Sequence, residues 1–229
     1  AGALHAMAER VRAFVACERD FTRDASHELR TPLTVIRVAS DLLLGDPDMP
    51  ARSQRSLTRI QRAGRDMEAV IDAFLILARE ADVAPQSEDF DVRDVVHEEV
   101  ERARESSNCP QEGVTLEVVE EAGIRLHAPP RVLGLMLGNL LDNACRFTRR
   151  GRIEVHIGPN RLEVRDTGIG MGPETIERAF EPFYRADLDS PHGKGMGLSI
   201  VRRLGERFGW PVSLESTPGK GTVATIRFG

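Results

Sequence analysis

Along the first third of the chain, apolar residues recur at helical spacing. Leu4, Met7, Val11 and Phe14 step by three and four, and Phe21 and Ala25 continue the stripe across a polar Glu18. It then advances by four twice, from Ala25 to Leu29 to Leu33, before resuming at Ile36, Ser40 and Leu43. Two successive fours are a stutter that locally unwinds a heptad seam, and Pro32 falls inside it, where a proline bends a helix or breaks its hydrogen-bond ladder. Gly45-Asp46-Pro47-Asp48-Met49-Pro50 is a stop and turn. A second stripe follows at Leu57, Ile60, Gly64, Met67, Ile71, Phe74 and Ala78. Two helices joined by about six residues pack antiparallel. One such hairpin buries too little apolar surface to stand alone, so a four-helix bundle formed by two chains is expected.

After Ala84-Pro85-Gln86-Ser87 the pattern changes, which predicts a helical domain over 1–84, a linker over 85–88 and a second domain over 89–229. Asp91 to Arg104 reads as helix, Val114–Val119 and Ile124–His127 as short strands, and Arg131–Thr148 as helix. Ile153, Val155 and Ile157 alternate with polar residues, turn at Gly158-Pro159-Asn160 and return through Leu162, Val164 and Asp166, a hairpin of half-buried strands. A short helix after Pro173, a helix over Leu198–Phe208 and a last hairpin over Val212–Ser216 and Thr222–Phe228 complete the chain. The mixture lacks regular strand–helix–strand spacing, so the fold class is α plus α/β, with an α/β sandwich and not a doubly wound sheet after the helical hairpin.

Composition narrows the function classes. In 229 residues, 36 acidic and 31 basic side chains leave a net charge of -5, with one Trp and one Tyr. A nucleic-acid binder would carry a basic patch and stacking aromatics, so no nucleic-acid partner is expected. Cys17, Cys109 and Cys145 are odd in number and lack CxxC spacing; they read as three free thiols in a reducing compartment. No apolar run approaches the ~20 residues of a membrane span. The chain opens on Ala1 in mid-helix pattern, as a piece of a longer protein would.

Four clusters carry candidate chemistry. His27 stands about 200° around the helix from both Ala25 and Leu29, so it points away from the seam, with Thr31 one turn on along its own face. A neutral imidazole is a competent nucleophile near pH 7, and Glu28 beside it could take the departing proton. Asn139 and Asn143, at i and i+4, put two amide oxygens on one face of an otherwise apolar helix; such oxygens suit Mg²⁺, and asparagine is a poor helix former that asks for a reason. Asp166-Thr167-Gly168-Ile169-Gly170 ends a strand on a carboxylate able to accept a bond from a ligand amine such as adenine N6. Gly193-Lys194-Gly195-Met196-Gly197-Leu198 opens a helix whose free N–H groups suit phosphate. Each cluster alone has an ordinary structural reading: solvated charge, helix-surface amide, strand-end turn, glycine loop. Their order and spacing decide the matter.

Together they resemble the transmitter core of two-component sensor histidine kinases. Phe21–Leu33 is similar to the H box, Asn139–Thr148 to the N box, Asp166–Gly170 to the G1 box, Phe180–Arg185 to the F box and Gly193–Leu198 to the G2 box. The resemblance implies a dimerising phosphotransfer hairpin followed by an ATP-binding sandwich of the Bergerat (GHKL) type shared with gyrase and Hsp90. It further implies that His27 accepts phosphate, Glu28 acts as acid–base group and Thr31 positions water for dephosphorylating a cognate response regulator. Asn143 would ligate Mg²⁺ with Asn139 near the phosphates, Arg146 and Arg185 would meet phosphate oxygens, Asp166 would read adenine and Phe147 would lie beside it. Gly168, Gly170, Gly193, Gly195 and Gly197, with Leu198, would shape the pocket and its lid, and Lys194 would either reach the γ-phosphate or face solvent. Met196 and Trp210 depart from the usual Leu and Gly.

The activity so implied is ATP-dependent autophosphorylation, transfer to an aspartate of the regulator, and dephosphorylation of that regulator, in a homodimer formed through residues 1–84. The alternative is a non-catalytic nucleotide-binding dimeric scaffold. The chain would be a cytoplasmic fragment, with the full-length protein anchored in the inner membrane by an N-terminal part absent here. Bending at Pro32 could choose between presenting His27 to ATP and Thr31 to the regulator, and the handedness of the 45–50 turn would decide transfer within or across chains.

Overall fold

The structure, a computed structural model, describes residues 31–45, 49–78, 87–105, 109, 113–184 and 195–229. His27, Glu28, Arg185, Gly193, Lys194, Cys17 and the stutter over 25–30 lie outside the described residues. The chain divides into two compact units, Ala1–Ala84 and Pro85–Gly229.

In the first unit, residues 31–44 form helix α1, and Gly45 N–H donates to Asp41 O (3.1 Å) where it ends. Helix α2 spans Ala51–Ala78. Gln61 Nε2 donates to Asp41 Oδ1 (2.5 Å), and Arg37 stands 3.9 Å from Glu68, so later residues of α2 meet earlier residues of α1: the pair is antiparallel. Leu33 and Ser40, seven residues apart on one stripe of α1, are buried together with Gly64. Ile36 and Leu43 of the same stripe are 41% and 50% exposed, and Val35, Val38, Leu42 and Ile60 are also uncovered. A two-helix hairpin covers only one side of each helix, which leaves this apolar surface open.

In the second unit, strand β1 (Glu88–Asp91), helix α3 (Val92–Glu105), strands β2 (Val114–Glu120) and β3 (Arg125–Ala128), helix α4 (Pro130–Phe147), hairpin β4 (Gly151–Gly158) and β5 (Arg161–Asp166), short helix α5 (Pro173–Arg178), helix α6 (Gly197–Phe208) and hairpin β6 (Val212–Thr217) and β7 (Gly221–Arg227) follow in order. The main sheet runs β2-β4-β5-β7-β6, with β2 parallel to β4 and the other neighbours antiparallel. β1 and β3 make a separate antiparallel ribbon.

Alternation builds the core. Ile153, Val155 and Ile157 of β4, Leu162 and Val164 of β5 and Ile226 of β7 face inward against Val96 and Val100 of α3, Leu133, Met136, Leu137 and Leu141 of α4, and Val201 and Leu204 of α6. Each fully buried aliphatic side chain contributes about 1.5–3 kcal/mol. On the opposite face of β5, Glu163 is covered by Arg161 (Nε, 2.8 Å) and by the Arg165 guanidinium. Glu99, buried on α3, lies against α4 where a Cβ on Gly134 or Gly138 would come within 2.9 or 3.2 Å of its carboxylate. Burial pushes its pKa up, and Arg102 opposes this.

Three sequence expectations need amendment. The helix expected from Asp91 begins at Val92; Asp91 closes β1 and accepts from Arg93 N–H (3.0 Å), and the Arg93 guanidinium holds its pKa down at about 2. β1, reading Glu-Asp-Phe-Asp, is too short and polar to show alternation. Cys109 and Cys145, expected free, are joined by a disulfide with a Cα–Cα distance of 5.3 Å. The α3–α4 packing brings together residues 36 apart in sequence, a proximity that cysteine spacing does not carry.

Two glycines separate backbone strain from steric clash. Gly170 has φ +63 and a Cβ there would sit 2.0 Å from Thr217 O; Gly209 has φ +68 with nothing within 4 Å. Gly170→Ala should cost at least about 2 kcal/mol and Gly209→Ala about 1 kcal/mol, read as shifts in urea midpoint; equal costs would contradict the crowding at Gly170.

Candidate functional site: the α4 end, the β5 turn and the start of α6

Three segments of the second unit converge. α4 starts with Pro130 at its first turn and an apolar run, and it carries Asn139, Asn143, Arg146 and Phe147 toward its C-terminal end. Asn139 Nδ2 donates to Leu135 O (2.7 Å), and its Oδ1 has no hydrogen-bond partner among the described residues. A Cβ on Gly197, the first residue of α6, would come within 2.9 Å of that oxygen, so the start of α6 lies against Asn139. Asn143 is half-buried, and no partner for its amide occurs among the described residues. The Arg146 guanidinium stands 5.3 Å from the Phe147 ring centre, and Phe147 is 40% exposed.

The turn after β5 presses on this helix end. Ile169 N–H donates to Phe147 O (3.2 Å), Gly168 N–H donates to Asp166 Oδ1 (2.8 Å), and a Cβ on Gly168 would meet Phe147 O at 2.4 Å. Only glycine fits there. Asp166 is thereby set beside the α4 end. Burial pushes its carboxyl pKa up, while bonds from the Gly168 and Thr222 backbone pull it back. Thr148 also lowers it, although its wholly buried Oγ1 reaches no partner at ordinary hydrogen-bond geometry: it is near the carboxylate without being bonded to it.

Below, Ser216 Oγ accepts from Met171 N–H (2.8 Å) and donates to Gly221 O (2.8 Å), with Thr222 Oγ1 at 2.9 Å. Thr148, Ser216 and Thr222 are polar residues around Asp166 that sequence reasoning missed. Thr222 is paired with Asp166 across β5 and β7, a register the hairpin lengths could have suggested. Gly195 has φ +67, and its carbonyl accepts from Phe183 N–H (2.9 Å), tying the Phe180–Tyr184 segment to the start of α6; Leu198 is half-buried one residue into that helix. Met196 caps the same helix with its carbonyl toward Ser199 Oγ (2.7 Å). Trp210 lies past the helix's other end, buried between Phe208 and Phe228. Neither departure from the usual pattern disturbs Asp166 or the asparagines. In the first unit, Thr31 is exposed on α1.

This arrangement offers a carboxylate for an amine, an aromatic edge beside it, amide oxygens one helical turn apart and a helix N-terminus facing them. No group of three or more His, Cys, Asp or Glu among the described residues could hold a metal. The uncommitted Asn143 amide and Asn139 Oδ1 are oxygen donors of the kind Mg²⁺ takes while keeping waters. Among the described residues no helix is long and apolar enough to cross a membrane.

Residues 18–82 match the His Kinase A (phospho-acceptor) domain, and residues 128–229 match the histidine kinase-, DNA gyrase B- and HSP90-like ATPase family. The chain belongs to the sensor histidine kinase family. Sensor protein QseC of Salmonella typhi is 31% identical over 234 residues, covering 99% of this chain and 51% of that protein. Sensor histidine kinase YkoH of Bacillus subtilis (strain 168) is 32% identical, covering 92% of this chain and 47% of that protein. Full-length ShkA, solved in complex with AMPPNP, aligns with a TM-score of 0.63 at 25% identity, over 90% of this chain and 45% of ShkA. The chain thus spans about half the length of the relatives it matches. The helical hairpin followed by an α/β sandwich of the Bergerat type is the fold of this family.

A buried carboxylate that ionises without a cation against it costs stability. With its pKa raised, Asp166 favours folding below the ordinary aspartate range, and that contribution is lost as pH rises through the raised value. Asp166→Asn keeps an oxygen for Gly168 N–H and removes the charge. The variant should show an unchanged or higher Tm at pH 7 and at least a tenfold weaker adenine-nucleotide affinity, measured by calorimetry. For the unsubstituted chain, affinity should fall as pH drops through the raised pKa; a Tm loss in the variant would contradict the assigned burial cost.

Proposed function

We propose that this chain is the autophosphorylating core of a two-component sensor kinase: it binds Mg²⁺·ATP in the second unit, phosphorylates His27 and passes the phosphoryl group to an aspartate of a cognate response regulator. The observation that carries the reading is the meeting of Asp166, Asn139, Asn143 and the start of α6 in one unit of a chain that also holds His27-Glu28. Adenine N6 donates to Asp166 with Phe147 at the ring edge. Arg146, and Arg185 beyond the described residues, contact phosphate oxygens with forked N–H donors. Asn143, aided by Asn139, holds Mg²⁺, which when bound neutralises phosphate charge. Gly193, Gly195 and Gly197 let the backbone approach the phosphates, and Lys194 belongs to the lid over them.

His27 presents one ring nitrogen to the γ-phosphorus in line with the leaving ADP oxygen, and Glu28 takes the proton from the other nitrogen. The chain's contribution is positioning and charge neutralisation. Thr31, exposed one turn beyond His27, orients a water for dephosphorylating the regulator, which makes the core bifunctional. The open apolar surface of α1 and α2 supports a homodimer through residues 1–84, with 85–88 as linker and 89–229 as catalytic domain. The full-length protein would be inner-membrane anchored, with this part in the cytoplasm. The scaffold alternative is not favoured, because His27, Glu28, Asn143 and Asp166 are all present.

Labelled ATP tests the assignment. The chain should acquire an acid-labile, base-stable label that His27→Gln abolishes; a label surviving that change would overturn the acceptor. Thr31→Ala should slow dephosphorylation of the regulator at least about tenfold while autophosphorylation stays within twofold. An unchanged dephosphorylation rate would remove Thr31 from that role.

A further inference from the structure

The disulfide has a position that its structural worth does not explain. The second unit already buries aliphatic side chains from three helices and four strands, and a unit of this size needs no covalent staple. Cys145 lies two residues after Asn143 and immediately before Arg146 and Phe147, on the buried side of the last turn of α4. Cys109 belongs to the connection between α3 and β2, outside any helix or strand. The bond therefore fastens that connection to the back of the turn whose front carries Asn143 and Phe147, and whose final carbonyl holds the Asp166 turn through Ile169 N–H. Thr148 N–H, bonded to Ala144 O (3.0 Å), completes the same turn. Both cysteines are 4% exposed, so exchange proceeds when Cys109 and Cys145 become uncovered, and it reports that local opening directly.

We propose that Cys109 and Cys145 form a reversible thiol–disulfide switch that clamps the last turn of α4 when oxidised and loosens the nucleotide site when reduced. The oxidant is a low-molecular-weight disulfide of the glutathione class. One cysteine thiolate attacks its sulfur–sulfur bond, forming a mixed disulfide and releasing one small thiolate. The second cysteine thiolate then displaces the other. Two protein thiols are oxidised, the small disulfide is reduced to two thiols, and the two protons pass from the cysteines to those products; excess small thiol runs the sequence backwards. The effect on ATP rests on the nucleotide reading above, whereas the clamping of α4 does not.

The test equilibrates the 229-residue chain across ratios of reduced to oxidised glutathione, traps free thiols for mass spectrometry, and measures AMPPNP affinity and amide exchange over residues 143–148. The linked Cys109–Cys145 peptide pair should form and reopen with the ratio. Exchange in the last turn should be slower when oxidised, and reduction should weaken AMPPNP affinity at least about fivefold. Both changes should vanish in Cys109→Ser and persist in Cys17→Ser. A pair that never links, or that links while exchange and affinity stay the same, overturns the switch. Redox-dependent exchange in a chain that binds no AMPPNP in either state would support the clamp and overturn the nucleotide reading instead.

Discussion

The second unit depends on one close approach: the carbonyl of Phe147, at the end of α4, receives Ile169 N–H across a Gly168 that has no side chain. A methyl group at Gly168 would stand 2.4 Å from that oxygen, so the contact exists only because the turn after β5 begins with glycine. Through it the helix end and the strand end share one position. Asp166 is fixed from the strand side, and Asn143, Arg146 and Phe147 from the helix side. Gly170 then locks the far side of the turn under Thr217, and Gly221 brings the β7 start against the Asp166 carbonyl. The site's precision comes from backbone packed on backbone, with glycine wherever a Cβ would intervene.

Two carboxylates are buried along the same helix, for different reasons. Glu99 is closed in by Gly134 and Gly138, and Arg102 offsets part of its burial cost where α3 meets α4. Asp166 has only backbone N–H donors and nearby hydroxyls, with no cation against it among the described residues, so its burial cost is left standing. A ligand amine would supply what the protein does not. The presence or absence of a nearby cation distinguishes the two buried acids better than burial alone.

Much of this was legible in the sequence. The hairpins β4–β5 and β6–β7 follow from strict alternation around Gly158-Pro159-Asn160 and Thr217–Gly221, and α1 and α2 from apolar stripes around Gly45 and Pro50. The asparagine pair and Asp166 stood out because a poor helix former in an apolar run and a carboxylate before paired glycines are locally costly choices. What stayed hidden depends on pairings between distant residues. Thr222 meets Asp166 only through the β5–β7 register, Gly134 and Gly138 make sense only with Glu99 opposite, and Cys109 finds Cys145 only after α3 packs on α4. β1 is visible only as the partner of β3. Ordinary composition conceals all of these because no single residue breaks a local rule.

The first unit shows the converse, a local pattern whose partner lies outside a single chain. Leu33 and Ser40 are covered while Ile36, Leu43 and Leu42 on adjoining positions are open. A stripe this wide exceeds what one antiparallel neighbour can bury, since helix packing covers about a third of each circumference. Arg37 and Glu68, and Gln61 and Asp41, set the intrachain side of the hairpin by polar contacts, leaving the aliphatic side for association. Polar contacts fix register within the chain, and the remaining apolar area provides the drive for a second copy.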